Sequence, residues 1–186
     1  MHTGRLVLTL SDPHLVPDAE SLRARLTEQG FIGAPLRDET TAFLAGDRFL
    51  ALMTFAGCSV QIELTPPAHG GPFCHVRFAG PFARPRLLHG RNTRPPRCRA
   101  CRSPLKDWLD FLSPTGETAP PRLPCPACGE EHPPWEWDWK EGAGYGRFFI
   151  QVEEVFPGEA VPAPELLRIL QKAEGGNWRY FYTQDP

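Results

Sequence analysis

The chain has 186 residues, 41% of them hydrophobic and 23% charged, and a formal net charge of -2, which describes an ordinary globular unit able to bury about 70% of its extended-chain surface. It has no apolar run near bilayer-spanning length, and residues 1–10 lack the apolar core and cleavage site of a secretory signal. Membrane and exported classes are therefore set aside, and a cytoplasmic location is expected. Arginine supplies 17 of the 20 basic residues and proline reaches 22, so an isolated Arg or Pro carries little information here.

Arg5-Leu6-Val7-Leu8-Thr9-Leu10 predicts a strand, closed by the turn formers Ser11, Asp12 and Pro13. A helix follows from Pro17-Asp18, with Ala19, Leu22 and Leu26 on one face and a stop at Gly30. From Arg48 to Leu64 apolar and polar residues alternate about a turn near Gly57, which predicts a hairpin, and Cys74 to Phe78 predicts a third antiparallel strand with His75 and Arg77 on its wetter side. Between Arg84 and Glu131 alternation is lost and Arg, Pro and Cys accumulate, the signature of an insertion. Patterning resumes as strands at Trp135 to Trp139 and Arg147 to Val152, then a helix from about Pro164 to Ala173 and a last strand from Trp178 to Tyr182. The expected fold is α+β: an antiparallel or mixed sheet of five to six strands with two helices, residues 1–90 and 133–186 forming one domain interrupted by a zinc-ribbon insertion at 91–132. The two ends share Val-Pro, Glu, Leu-Arg and Gly at an offset of 145 (Val16-Pro17 to Gly30, Val161-Pro162 to Gly175). Either duplication or the common grammar of helix starts and stops accounts for that match.

Cys98-Arg99-Ala100-Cys101 and Cys125-Pro126-Ala127-Cys128-Gly129 carry the strongest chemical signal, two Cys-x-x-Cys pairs separated by 23 residues. Zinc takes four ligands in a tetrahedron, and a two-residue spacer lets both thiolates of a pair face one ion while backbone amides donate to the sulfurs. Between the pairs, Leu105, Trp108, Leu109 and Leu112 follow helical spacing up to Ser113-Pro114-Thr115-Gly116. The motif resembles the zinc-ribbon class, the second pair most closely, and the first departs from it because Arg102 stands where glycine is usual. The expectation is one structural Zn2+ per chain, ligated by Cys98, Cys101, Cys125 and Cys128. A redox dithiol pair, a disulfide and His132 as a substitute ligand are the competing readings, while four thiolates leave no open position for a catalytic water. A second metal group of Cys58, His69, Cys74 and His75 is less economical than two buried cysteines behaving as small hydrophobes.

Seven arginines and no acid lie between Arg84 and Arg102, leaving 13 basic against 22 acidic residues elsewhere. The basic run has three possible counterparts: another protein, a nucleic-acid backbone, or simply solvent and the chain's own acids. The expected partner is a protein, with nucleic acid as the alternative, and the candidate contacts are Arg91, Arg94, Arg97, Arg99 and Trp135. The alternating Trp135, Trp137 and Trp139 read as packing before they read as a stacking platform. Gly142 to Gly146 reads as a flexible bend, since a strand pattern follows where a dinucleotide site needs a helix. With no phosphate loop, no His-Glu-x-x-His and no Gly-x-Ser-x-Gly, a non-enzymatic role is expected. Gly57-Cys58-Ser59, residues Gly90 to Cys98 and Val155-Phe156-Pro157-Gly158-Glu159 together resemble a group of uncharacterised bacterial proteins. These sometimes carry a sugar ABC transporter ATPase label, which the missing phosphate loop contradicts; the resemblance implies a bacterial cytoplasmic protein and no activity.

Overall fold

The structure is a computed structural model that describes residues 4–37, 39–57, 62–111 and 122–185. Strand β1 (Gly4–Leu10) leads to helix α1 (Ala19–Glu28), then to β2 (Ile32–Leu36), β3 (Glu39–Ala45) and the short β4 (Met53–Phe55). After β5 (His75–Ala79) and β6 (Arg86–His89) the chain makes β7 (Leu123–Pro124) and β8 (Glu131–His132). It returns through β9 (Ala143–Gly146), β10 (Phe149–Glu153) and β11 (Ala160–Pro162) to helix α2 (Pro164–Glu174) and β12 (Trp178–Gln184). The main sheet has six strands in the order β12-β1-β10-β5-β3-β2, every neighbour antiparallel, so the fold is α+β.

The continuous apolar run of β1 follows from burial on both faces. Leu6, Leu8 and Leu10 join the large core beneath the helices, with Leu22 and Leu26 of α1 and Leu166, Ile169 and Leu170 of α2. Val7 points the other way, onto Phe149 and Phe181, and this second face is flanked by Leu88 of β6. Asp18 caps α1 by accepting from the Glu20 and Ser21 amides, and Gly175 closes α2 at φ 68°, a left-handed turn that costs glycine nothing. The offset of 145 matches the ends of the two helices but not their faces. It equates buried Leu22 with half-buried Leu167, whereas the buried positions Leu22 and Leu26 correspond to Leu166 and Leu170. The preceding strands also differ, β1 lying inside the main sheet and β11 pairing with β4, which favours common helix grammar over duplication.

Four expectations need correction. The hairpin from Arg48 to Leu64 is instead a 3-10 turn at Leu50–Leu52 followed by β4, which pairs with β11. Buried Phe49, Leu52 and Met53 are spaced as one helical turn, and Cys58 and Val60 lie outside the described residues. The helix expected from Leu105 is a single 3-10 turn at Trp108–Phe111; Leu105 and Trp108 are buried, Leu109 is 57% exposed, and Leu112 to Gly116 lie outside the described residues. The strand expected at Trp135 to Trp139 begins as a 3-10 turn at Pro134–Glu136 because Pro133 and Pro134 cannot donate to a ladder. Trp137 beyond it is extended without a strand partner.

The fourth correction concerns Gly142 to Gly146, where the bend is the buried strand β9, paired with β6. Its glycines let β9 lie close over the β1/β12 face: a Cβ at Gly144 would come 2.5 Å from the Phe181 ring and 2.8 Å from Arg179 Nη2, and one at Gly146 would strike Thr9 Oγ1. Phe181 is 1% exposed and cannot yield. Gly144→Ala is therefore expected to destabilise the chain by about 1–3 kcal/mol through overpacking, read as a lower urea midpoint at unchanged slope.

Candidate metal centre

Two short stretches of backbone, 97–104 and 124–131, build the site by the same hydrogen-bond pattern 27 residues apart. In the first, Arg102 N donates to Cys98 O (2.9 Å) and Cys98 N to Ser103 O (2.9 Å); in the second, Gly129 N donates to Cys125 O (2.8 Å) and Cys125 N to Glu130 O (2.8 Å). An Arg97–Pro104 bridge closes the first loop and the Pro124–Glu131 pair of β7 and β8 closes the second. Each turn needs a left-handed residue after its second cysteine. Gly129 supplies it at φ 75° and Arg102 adopts it at φ 65°, so the departure from the ribbon pattern leaves the turn intact at the cost of a strained arginine.

The turns bring the Sγ atoms of Cys98, Cys101, Cys125 and Cys128 within 4.8 Å of one another. Cys98 and Cys128 are 3.9 Å apart and Cys101 and Cys125 are 3.6 Å apart. A tetrahedron of sulfurs about 2.3 Å from a central zinc has edges of about 3.8 Å, and disulfide bonds are far shorter, about 2.05 Å. The donor set could hold a metal ion, and among the described residues it is the only such group of His, Cys, Asp or Glu. His132 stands beside it, Nε2 3.7 Å from Cys98 Sγ, without joining the cluster. Of the second group considered, Cys58 lies outside the described residues, His69 is exposed, and Cys74 is fully buried in the main core, its thiol pushed up to about 12 chiefly by burial.

The site has an inner and an outer half. Cys98 and Cys125 are buried against Leu105, Trp108, Leu123, Trp137 and Trp139, whereas Cys101 and Cys128 face solvent. The Ser103 hydroxyl and amide draw the Cys101 thiol down to about 6. Cys128 receives the Glu130 amide, which opposes the rise, yet Cys101 and the other crowded sulfurs push it up to about 12. Asp138, which the sequence did not single out, ties the unit together. Its backbone exchanges two 3.0 Å bonds with Arg97, and Lys140 and Arg102 hold its carboxyl below the usual range despite burial.

Arg91, Arg94, Arg97 and Arg99 are all exposed, and none of them meets a carboxylate among the described residues. Arg94 and Arg97 line a groove of about 790 Å³ with Asp138, Trp139, Lys140 and Tyr182; Arg91 and Arg99 lie outside its lining. Trp135 is half-buried, its ring 4.8 Å from His14 and 6.3 Å from Tyr145. No helix among the described residues is long and apolar enough to cross a membrane. Comparison of the chain with family models, with curated proteins and with solved structures finds no match.

The repeated turn makes one substitution diagnostic. Arg102→Gly removes the left-handed penalty and Arg102→Ala keeps it, while both lose the exposed contact to Asp138. The glycine variant should be the more stable of the two by about 1 kcal/mol, measured by thermal unfolding of the metal-loaded chain.

Proposed function

We propose that this chain is a non-enzymatic zinc-binding protein in which one structural Zn2+, held by Cys98, Cys101, Cys125 and Cys128 as thiolates, stiffens a basic surface that docks another protein. The observation that carries the metal half is the sulfur geometry: S···S separations of 3.6 and 3.9 Å bracket the edge a zinc tetrathiolate requires. Residues 91–132 are read as the inserted ribbon subdomain, and the reducing cytoplasm is the compartment that suits its thiolates. The partner half rests on four arginines that meet no carboxylate among the described residues. Within the groove Asp138 and Glu141 accompany Arg94, Arg97 and Lys140, a mixture of signs that fits a protein surface better than a uniformly anionic nucleic-acid backbone. Arg94 and Arg97 are the anchors, with Arg91 and Arg99 flanking them, since guanidinium groups offer large contact area with directional bonds. Trp135, half-buried with its ring against His14 and Tyr145, is the remaining candidate contact.

Elemental analysis of protein purified without chelator should give one zinc per chain, and Cys125→Ser should lose it while the main sheet stays folded. Absence of stoichiometric zinc would defeat the reading. Ser103→Ala removes the hydroxyl that favours the Cys101 thiolate, so protons should displace the metal at a higher pH than in the wild type, followed by a zinc-sensitive dye during acid titration. For the partner, cross-linking with wild type and with Arg94→Ala/Arg97→Ala should yield different captured sets. Nucleic acid becomes the better reading if the chain binds single- or double-stranded DNA or RNA with a log-log salt slope of about -0.7 to -0.9 per phosphate contacted.

A further inference from the structure

The four sulfurs are not equally supplied with hydrogen-bond donors. Ser103 donates to Cys101 and the Glu130 amide to Cys128, and both of these outer cysteines also face solvent. Cys98 is fully buried, so water does not solvate its sulfur. Apart from Cys128 Sγ at 3.9 Å, the polar side-chain atom that reaches Cys98 Sγ among the described residues is His132 Nε2, at 3.7 Å. The backbone and a neighbouring ring hold that approach in place. His132 lies in β8 opposite Leu123 of β7, two residues before Cys125. Pro133 follows it and restricts it to extended backbone. Its ring stands edge-on to buried Trp137, with centroids 6.1 Å apart and planes at 86°.

We propose, resting on the zinc reading of the four cysteines, that His132 is a positioning residue of the metal centre whose Nε2 carries a hydrogen and donates it to the Cys98 sulfur. A thiolate can only accept, so a bare ring nitrogen facing it would be repelled and a protonated one is attracted. Four sulfurs already fill the tetrahedron that zinc prefers, which leaves His132 outside the ligand shell with its donor aimed at one ligand. A zinc ion with four thiolates carries two net negative charges, and the share on Cys98 lies in apolar surroundings. A donor to that sulfur is worth more than one to an exposed sulfur, because no water takes its place when it is removed. His132 thereby does for the inner sulfur what the backbone amides do for the outer two.

The test uses the full chain with its histidines labelled with nitrogen-15, loaded in one sample with zinc and in another with cadmium-113. The nitrogen shifts should report a hydrogen on His132 Nε2, and a scalar coupling between cadmium-113 and that hydrogen should appear without direct coupling to either ring nitrogen. In competition with a chelator, His132→Phe, which keeps a flat ring against Trp137 but has no donor, should bind zinc about tenfold more weakly than wild type. His132→Gln, whose side-chain amide places an N–H where Nε2 stood, should recover most of that loss. A bare Nε2, a ring nitrogen bonded directly to cadmium, equal zinc affinity in wild type and His132→Phe, or a glutamine variant no tighter than the phenylalanine one would overturn the proposal. Should His132→Phe not fold, the wild-type spectra decide. A chain that takes up neither metal defeats the zinc reading itself, whereas a loaded chain without the cadmium-to-hydrogen coupling defeats only the role given to His132.

Discussion

Four sulfurs held within 4.8 Å of one another can be thiolates together only around a cation, because each added negative charge at such distances is repelled by those already present. The chain meets this constraint with backbone. Two turns of identical hydrogen-bond pattern fix the sulfurs from opposite sides, and the amides of Ser103 and Glu130 donate to the two outer ones. Among the described residues, seven other buried residues cluster with the two inner cysteines. A core of that size does not hold a loop-rich segment by itself, so the segment's order is tied to whatever neutralises its sulfurs.

The position of the site relative to the body follows from how the main sheet ends. Edge strand β12 would expose unpaired amides and carbonyls, and residues 90–93 cover part of it. Asn92 donates Nδ2 to Tyr182 O and accepts from Gln184 N, while Arg91 N donates to Gln184 O. The basic run therefore leaves directly from the sheet edge, and the reciprocal Arg97–Asp138 pair fixes it again a few residues later. Arg94 stands between two anchored points, which lowers the ordering cost of any contact it makes.

Much of the body was legible because its signals are local. Asp18 before α1, Gly30 and Gly175 after the helices, and the double-sided apolar run of β1 each follow from one or two principles acting on neighbouring residues. The hairpin partners β2 and β3 were not legible: Gly33 and Pro35 dilute the β2 pattern, and Pro35 is tolerated because β2 is an edge strand. Trp135, Trp137 and Trp139 alternate without forming a ladder, since burial alone imposes the alternation. At the metal centre the cysteine spacing identified the donors. The doubling of the turn was also written in the chain, as Cys-x-Ala-Cys repeated 27 residues apart, but Arg102 in place of glycine obscured it. Asp138 gave no sequence signal, because its importance comes from what lies across from it in space.

The arginines separate by their partners. Arg5, Arg23, Arg25, Arg48, Arg77, Arg102 and Arg122 each reach a carboxylate, so this acid-rich chain pairs its cations readily wherever the fold allows. Arg84, Arg147 and Arg168 also reach no carboxylate among the described residues, but they lie apart from one another in the chain. Arg91, Arg94, Arg97 and Arg99 instead lie consecutively along one segment that is anchored at the sheet edge and again at Asp138. Holding like charges there costs self-repulsion, which a flexible loop would relieve by spreading and this segment cannot. Four arginines that meet no carboxylate among the described residues thus stand on an anchored segment next to the cysteine cluster. In the proposed function an anionic partner surface would offset the repulsion among the arginines, and a metal cation would offset that among the sulfurs.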